Sequence, residues 1–138
     1  MRKISLIILY TSGALMLIGG IGDQFINQLL DVHLKFLGYP PSSDLFIKAQ
    51  DLMMLMLHSV GGGLISCGVS MLVLTYFGIQ RDLEWAKWTV LGIAWIAQGF
   101  NGYSMYSAGS YYYYPVAILI LTTIGVLLYP KKWTIKNH

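Results

Sequence analysis

The chain has 138 residues, of which 56% are hydrophobic and only 11% are charged. Soluble domains carry about 25% charged residues, and the nine Lys and Arg and six Asp and Glu present here are too few to cover the surface of a soluble domain of this size. The composition therefore argues against a soluble globular domain. We expect the lipid bilayer to be the solvent of this chain.

The formal net charge is +3, but no basic run is longer than Lys131-Lys132 and no basic stripe alternates with aromatic residues. Nucleic-acid binding needs such a stripe, so nucleic acid is not an expected partner. The single cysteine, Cys67, has no second cysteine with which to form an intrachain disulfide.

Four apolar runs have about the 20 residues that a helix needs to cross a bilayer. They predict an all-α fold, an integral membrane four-helix bundle that forms a single domain over residues 1–138. The predicted spans cover residues 4–22, 52–79, 85–106 and 112–129, and an outer loop of residues 23–50 joins the first two.

The first apolar run follows Arg2-Lys3, as the apolar region of a signal peptide does. It is about 19 residues long, whereas that region usually has about 7–15 residues. Asp23 also directly follows the small residues that a signal peptidase would need. We therefore expect a first span that is retained.

The positively charged residues are distributed unevenly between the predicted loops. Lys35 and Lys48 fall on the outer side, while the inner side holds Arg2, Lys3, Arg81, Lys87, Lys131, Lys132 and Lys136. Because Lys and Arg are enriched in cytoplasmic loops, the sequence predicts an inner-membrane protein with both termini cytoplasmic. Tyr129 and Trp133 beside Lys131 predict an anchor at the inner interface.

The outer loop contains apolar residues at helical spacing. Its apolar positions are Phe25, Ile26, Leu29, Leu30, Leu34 and Leu37, together with His33. They predict a short amphipathic helix that lies in the membrane interface and ends at Gly38-Tyr39-Pro40-Pro41. Ser42, Ser43 and Asp44 provide capping side chains for a turn that leads into the second span.

Three features occur in order along the first half of the chain. These are a glycine-rich first span, the segment Phe36-Leu37-Gly38-Tyr39-Pro40, and His58-Ser59-Val60-Gly61-Gly62-Gly63-Leu64-Ile65 in the second span. In this order the chain resembles the DoxX-like group of small four-span bacterial membrane proteins. That group includes a small subunit of a thiosulfate to quinone oxidoreductase, and many of its relatives have no assigned activity. Those families often carry a basic residue near the start of the second span. This chain departs from that pattern, because its nearest basic residue is Lys48 in the outer loop and the span itself presents Asp51 and His58.

Polar residues within the spans are the candidate site, because each costs a few kcal/mol in the bilayer unless it faces protein or water. Asp51 and His58 are seven residues apart and so within about 20° of one helix face, and Gln98 and Asn101 share a face of the third span. These groups converge on the outer half of the bundle, under the tyrosine run 111–114. The candidate ligand-binding residues are Asp23, Asp51, His58, Gln98, Asn101, Tyr103 and Tyr106.

The sequence thus favours an accessory, non-enzymatic membrane protein that binds a small apolar ligand with a polar head, such as a quinone or a lipid, in this outer pocket. One alternative is a membrane enzyme in which Asp51 and His58 form an acid-base pair that acts on a lipid-soluble substrate. Another is a structural subunit of a homo-oligomer or of a larger membrane complex. The sequence indicates no metal site and names no cofactor.

Small residues in the second span predict close packing of helices. Two ladders have the required spacing: Ser59, Gly63 and Cys67, and Gly62, Ser66 and Ser70. If these ladders faced outward rather than into the bundle, they would favour the structural-subunit alternative.

Overall fold

The computed structural model describes residues 1–29, 33–35 and 44–130. Within these residues every regular element is helical, which confirms the predicted all-α class. The helices are α1 (Arg2–Phe25), α2 (Asp44–Phe77), α3 (Glu84–Ser107) and α4 (Tyr113–Leu128), and a short 3₁₀ helix at Ile79–Arg81 follows α2.

The outer loop differs from its prediction. Helix α2 begins at Asp44, so residues 44–50, which were assigned to the loop, are helical. At 34 residues, α2 is about 51 Å long and exceeds the roughly 30 Å thickness of a hydrocarbon core. Residues 26–29 are not helical, although they fall within the predicted interfacial helix; residues 33–35 are helical. The rest of that helix, with Ser42 and Ser43, lies outside the described residues.

The four helices pack in a ring in which each helix contacts its neighbours in the chain and α4 returns to α1. The α1–α2 contact is the most extensive and the α2–α3 contact the least extensive. The centre of the ring is filled by apolar side chains. Its fully buried members are Leu9, Met16, Met71, Val90, Ala94 and Ile118.

Glycines at seven-residue spacing join α1 to α2. A Cβ atom on Gly20 would lie 2.6 Å from the carbonyl oxygen of Gly61, and one on Gly68 would lie 3.0 Å from the carbonyl oxygen of Gly13. The two backbones therefore touch at two levels one heptad apart. The predicted ladders do not form this contact, because a Cβ atom on Gly62 or Gly63 would meet nothing within 4 Å.

Buried hydroxyl groups join α1 to α4. The Ser5 hydroxyl donates a 2.6 Å hydrogen bond to the carbonyl oxygen of Gly125, and the hydroxyls of Ser12 and Thr122 are hydrogen-bonded to each other. Both serines are fully buried. Because a hydroxyl away from water needs a partner, these bonds fix the register of α1 against α4.

The α2–α3 connection and the ends of α1 and α4 meet in a polar cluster, which we call the inner cluster: Arg2, Gln80, Asp82, Lys87 and Tyr129. Arg2 lies 3.6 Å from the Asp82 carboxylate and donates a hydrogen bond to the Gln80 carbonyl. The Tyr129 hydroxyl lies 2.7 Å from both Asp82 and the carbonyl of Ile79. The Lys87 ammonium lies 5.4 Å from the centre of the Tyr129 ring. Tyr129 is only 4% exposed, so it packs inside the bundle end.

Within the part of the chain that the structure describes, two helical segments, Arg2–Phe25 and Asp44–Arg81, are long and apolar enough to cross a membrane. Helix α4 is apolar but has 16 residues, which is short for a span.

Candidate ligand-binding site

A cavity of about 160 Å³ lies at the end of the bundle opposite the inner cluster. It is enclosed by the C-terminal end of α1, the residues just after it, the middle of α2, the last turns of α3 and the first turn of α4. Its lining residues are Gly19, Asp23, Ile26, His33, Leu57, Val60, Leu64, Asn101, Met105, Ser110 and Tyr114. The walls therefore combine apolar side chains with a few polar groups, as ligand pockets do.

His33 lines the cavity. Its Nδ1 is buried and has no hydrogen-bond partner among the described residues. A buried polar atom without a partner is costly, and native structures contain few of them. His33 therefore brings to the cavity wall an imidazole with one nitrogen that the described residues leave without a partner.

Asp23 lies in the last turn of α1 and is half-buried in the cavity wall. The Asp23 carboxyl group is also close enough to the His58 imidazole for the two to interact electrostatically. The described lining residues include no Lys or Arg. Among them the Asp23 carboxylate is an acceptor, whereas the His33 imidazole, the Asn101 amide and the Ser110 hydroxyl can each donate and accept hydrogen bonds.

Tyr114 closes the cavity on the α4 side. Its hydroxyl donates to the carbonyl oxygen of Leu15, and its ring lies over Gly19, where a Cβ atom would be 3.0 Å from the ring edge. The absence of a side chain at Gly19 therefore makes room for the ring. Of the tyrosines at residues 111–114, Tyr114 is the one that lines the cavity.

His58 positions the cavity wall without lining it. Its Nε2 lies 3.1 Å from the carbonyl oxygen of Ile26, the residue that follows α1, and Gln24 donates a 2.6 Å hydrogen bond to the His58 carbonyl. Ile26 has extended backbone, with φ −72° and ψ 119°. The carbonyl groups at a helix C-terminus lack intrahelical hydrogen-bond partners. The His58 ring is the partner of the Ile26 carbonyl. This pair of bonds fixes the end of α1 against α2.

On α3, Asn101 lines the cavity, and its amide nitrogen lies 3.4 Å from Oε1 of Gln98. Gln98 is 1% exposed and packs in the bundle interior. The predicted pair thus shares one helix face, with Asn101 at the cavity and Gln98 behind it.

Three predicted site residues lie away from the cavity. Asp51 is exposed on the first half of α2 and does not line it. Tyr103 and Tyr106 are 71% and 65% exposed, and the Tyr106 ring packs edge-on against Tyr112. Because His58 is bonded to Ile26, the structure does not bring Asp51 and His58 together as a hydrogen-bonded pair.

Sequence reasoning missed His33 and Tyr114 as individual site residues. His33 is the histidine of the outer loop, and it lines the same cavity as Asp23, ten residues earlier in the chain. The i, i+3 and i+4 rule relates residues within one helix and does not extend beyond it. Tyr114 differs from its neighbours by pointing at Gly19, which only the α1–α4 packing determines.

Within residues 1–29, 33–35 and 44–130, no group of three or more His, Cys, Asp or Glu side chains is arranged to hold a metal ion. Comparisons with family models, curated proteins and solved structures found no match to the chain. The fold and the site define an all-α protein with two membrane-capable helices and a small, partly polar cavity at one end.

Proposed function

We propose that this chain is an accessory four-span membrane protein that binds a lipid-soluble ligand with a polar head, such as a quinone or a lipid, in the outer-end cavity. The observation that carries the proposal is His33, which lines the cavity and whose buried Nδ1 has no partner among the described residues. Asp23 and Asn101 add polar groups to the same lining, while Leu57, Val60 and Leu64 form an apolar wall. A head that hydrogen-bonds to the His33 imidazole would supply a partner that the described residues do not.

The distribution of charge supports the placement of this cavity at the outer face of a membrane. The inner cluster contains Arg2 and Lys87, and Arg81 is next to it in the chain. The cavity end carries Asp23, and its described lining residues include no Lys or Arg. Since Lys and Arg favour the cytoplasmic side, the cavity would open toward the opposite side, with both termini cytoplasmic. Helices α3 and α4 would complete the four spans.

Binding is favoured over acid-base catalysis by the surroundings of His58 and Asp51. The Nε2 of His58 is engaged by a backbone carbonyl, and Asp51 is exposed away from the cavity. A catalytic pair has to reach the proton that it transfers. The described geometry leaves neither group in reach of a molecule bound beside His33.

Photolabelling tests the proposal. A quinone that carries a photoreactive group on its ring should label residues on α1, the middle of α2 and the last turns of α3 in the full-length protein. His33→Ala and Asn101→Leu should each reduce labelling several-fold, because each removes a lining side chain that can donate a hydrogen bond to a quinone carbonyl. The matched control is Asn27→Leu, which makes the same chemical change at an exposed asparagine just beyond α1.

Equal labelling of the wild type and the His33→Ala and Asn101→Leu variants would contradict the proposal. So would a loss of labelling in Asn27→Leu as large as that in Asn101→Leu. A lipid analogue with the same photoreactive group, tested beside the quinone, distinguishes the two ligand classes.

One observation favours a second role, as a structural subunit of an oligomer or a larger membrane complex. Gly62, Ser66 and Ser70 are exposed on α2, so this small-residue ladder faces outward and permits close approach of another helix. In a Cys67→Ser background, Ser66→Cys should then form cross-links in native membranes. The absence of any cross-link would count against this role without affecting the cavity proposal.

A further inference from the structure

A larger groove between α2 and α3 borders the cavity. The groove has a volume of about 390 Å³ and shares Val60, Leu64 and Asn101 with the cavity lining. Its remaining lining residues are Gly63, Cys67, Ile96, Ala97, Phe100 and Ser104. The wall is therefore mainly apolar, and Asn101 stands at the junction with the polar cavity.

We propose that this groove is the binding site for the apolar tail of the ligand and its lateral entry from the bilayer, so that the ligand is a single-tailed amphiphile. The inference rests on the proposed function, because it takes the head of the ligand to lie in the cavity. It adds the shape of the ligand and the route by which it arrives.

Size supports a ligand that occupies both spaces. Pockets for small organic ligands usually measure about 300–1,000 Å³, so the cavity of about 160 Å³ can hold a polar head but not a complete lipid or a tailed quinone. The groove of about 390 Å³ falls within that range. A molecule whose head fills the cavity has to extend past Asn101 into the groove.

The packing of the ring places the groove where a tail can enter. The contact between α2 and α3 is the least extensive of the four neighbour contacts. Phe100 and Ile96 stand 72% and 66% exposed at the rim of the groove, where lipid would surround them. At Gly63 a Cβ atom would meet nothing within 4 Å, so the floor of the groove is open space.

Cys67 provides a reporter inside the groove, because it is the one cysteine of the chain and is partly accessible. Purified full-length protein in detergent is treated with N-ethylmaleimide, with or without a fully substituted benzoquinone. One probe carries a decyl tail and the other, tetramethylbenzoquinone, has none. Binding of each probe is measured separately as the rise in unfolding temperature that a ligand of the folded state causes.

The decyl quinone should slow alkylation of Cys67 about tenfold at a concentration of about ten times its Kd. Tetramethylbenzoquinone should raise the unfolding temperature without protecting Cys67. If the decyl quinone raises the unfolding temperature but leaves Cys67 equally reactive, the tail lies elsewhere and the groove inference is wrong while the cavity proposal stands. If neither probe changes the unfolding temperature, the cavity proposal fails as well.

A second test compares the ligand affinity of variants at two adjacent glycines. Gly63→Phe would place a ring in the groove, whereas Gly62→Phe would place the same ring on the neighbouring outward face, and neither site has an atom within 4 Å of the new Cβ. Gly63→Phe should weaken binding of the decyl quinone about tenfold relative to Gly62→Phe, and the two variants should bind tetramethylbenzoquinone equally. Equal affinity of both variants for the decyl quinone would overturn the inference.

Discussion

A Cβ atom on Gly20 would lie 2.6 Å from the carbonyl oxygen of Gly61, so α1 and α2 are in backbone contact at these two residues. Real Cβ atoms do not approach backbone oxygens this closely, and neither glycine can be replaced unless the helices separate. The contact lies within one turn of Asp23, since a Cβ atom on Gly61 would also be 2.7 Å from Cβ of Asp23. The helix packing therefore sets the position of a cavity residue.

The first prediction concerns this contact. Gly61→Ala should lower the free energy of unfolding by about 1–3 kcal/mol or more, which is the usual cost of adding an atom to a closely packed core. Gly62→Ala is the control; it should be neutral or stabilising by up to about 1 kcal/mol, since alanine is the better helix former. Unfolding in mixed micelles, followed by tryptophan fluorescence, measures both. A smaller loss in Gly61→Ala than in Gly62→Ala would show that the backbones do not touch here.

The second prediction concerns the bond between His58 and the carbonyl of Ile26. His58→Leu should release the segment that follows α1 and increase hydrogen exchange of the amides at residues 24–29, at a cost in stability of about 0.5–1.5 kcal/mol. Ser59→Leu, at the adjacent exposed position, is the control and should leave exchange unchanged. Unaltered exchange in His58→Leu would indicate that another contact holds the end of α1.

The third prediction concerns Tyr129, which follows the last residue of α4 and so lies outside the helix. Burial, reinforced by the hydrogen bond to Asp82, raises the pKa of Tyr129 from 10.0 to about 12. Because the folded state holds the phenol proton more tightly than the unfolded state, the stabilisation is complete below about pH 10 and is lost as the pH rises toward about 12.

This shift is measured by the ultraviolet absorbance of tyrosinate as the pH is raised. The difference between the wild-type titration and that of Tyr129→Phe should show one phenol that ionises near pH 12. The variant should also lose less stability than the wild type between pH 10 and pH 12. A difference titration centred at pH 10 would show that Tyr129 is not held in the inner cluster. Tyr111→Phe, which removes a tyrosine that is 74% exposed, is the control for the subtraction.

The fourth prediction concerns the hydroxyl groups between α1 and α4. Ser5→Ala should reduce the free energy of unfolding by about 0.6 kcal/mol and by no more than about 2, the range found for hydrogen bonds between membrane helices. Stability is lost because the carbonyl oxygen of Gly125 would no longer accept the hydrogen bond that the Ser5 hydroxyl donates. Ser66→Ala is the matched control, since the Ser66 hydroxyl bonds to Gly62 within its own helix. An equal effect of the two changes would argue against the interhelical bond.

The amino-acid sequence by itself determined the helices. Four apolar runs of about 20 residues predicted four helices, and the four helices of the structure lie over those runs. The run of apolar residues did not reveal that α2 begins as early as Asp44. The first turns of α2 mix polar with apolar residues, so a search for continuous apolar runs does not find them.

Only the tertiary structure decided which small and polar residues face each other. The sequence does not distinguish the three adjacent glycines at residues 61–63, yet of these only Gly61 contacts α1. Neighbouring residues of a helix point about 100° apart, and the sequence does not state which helix face is covered. Likewise Asp51 and Asp23 were both expected at the pocket. In the structure Asp23 and His33 line one cavity, while Asp51 is exposed on α2, since contacts between helices depend on packing and not on spacing within one helix.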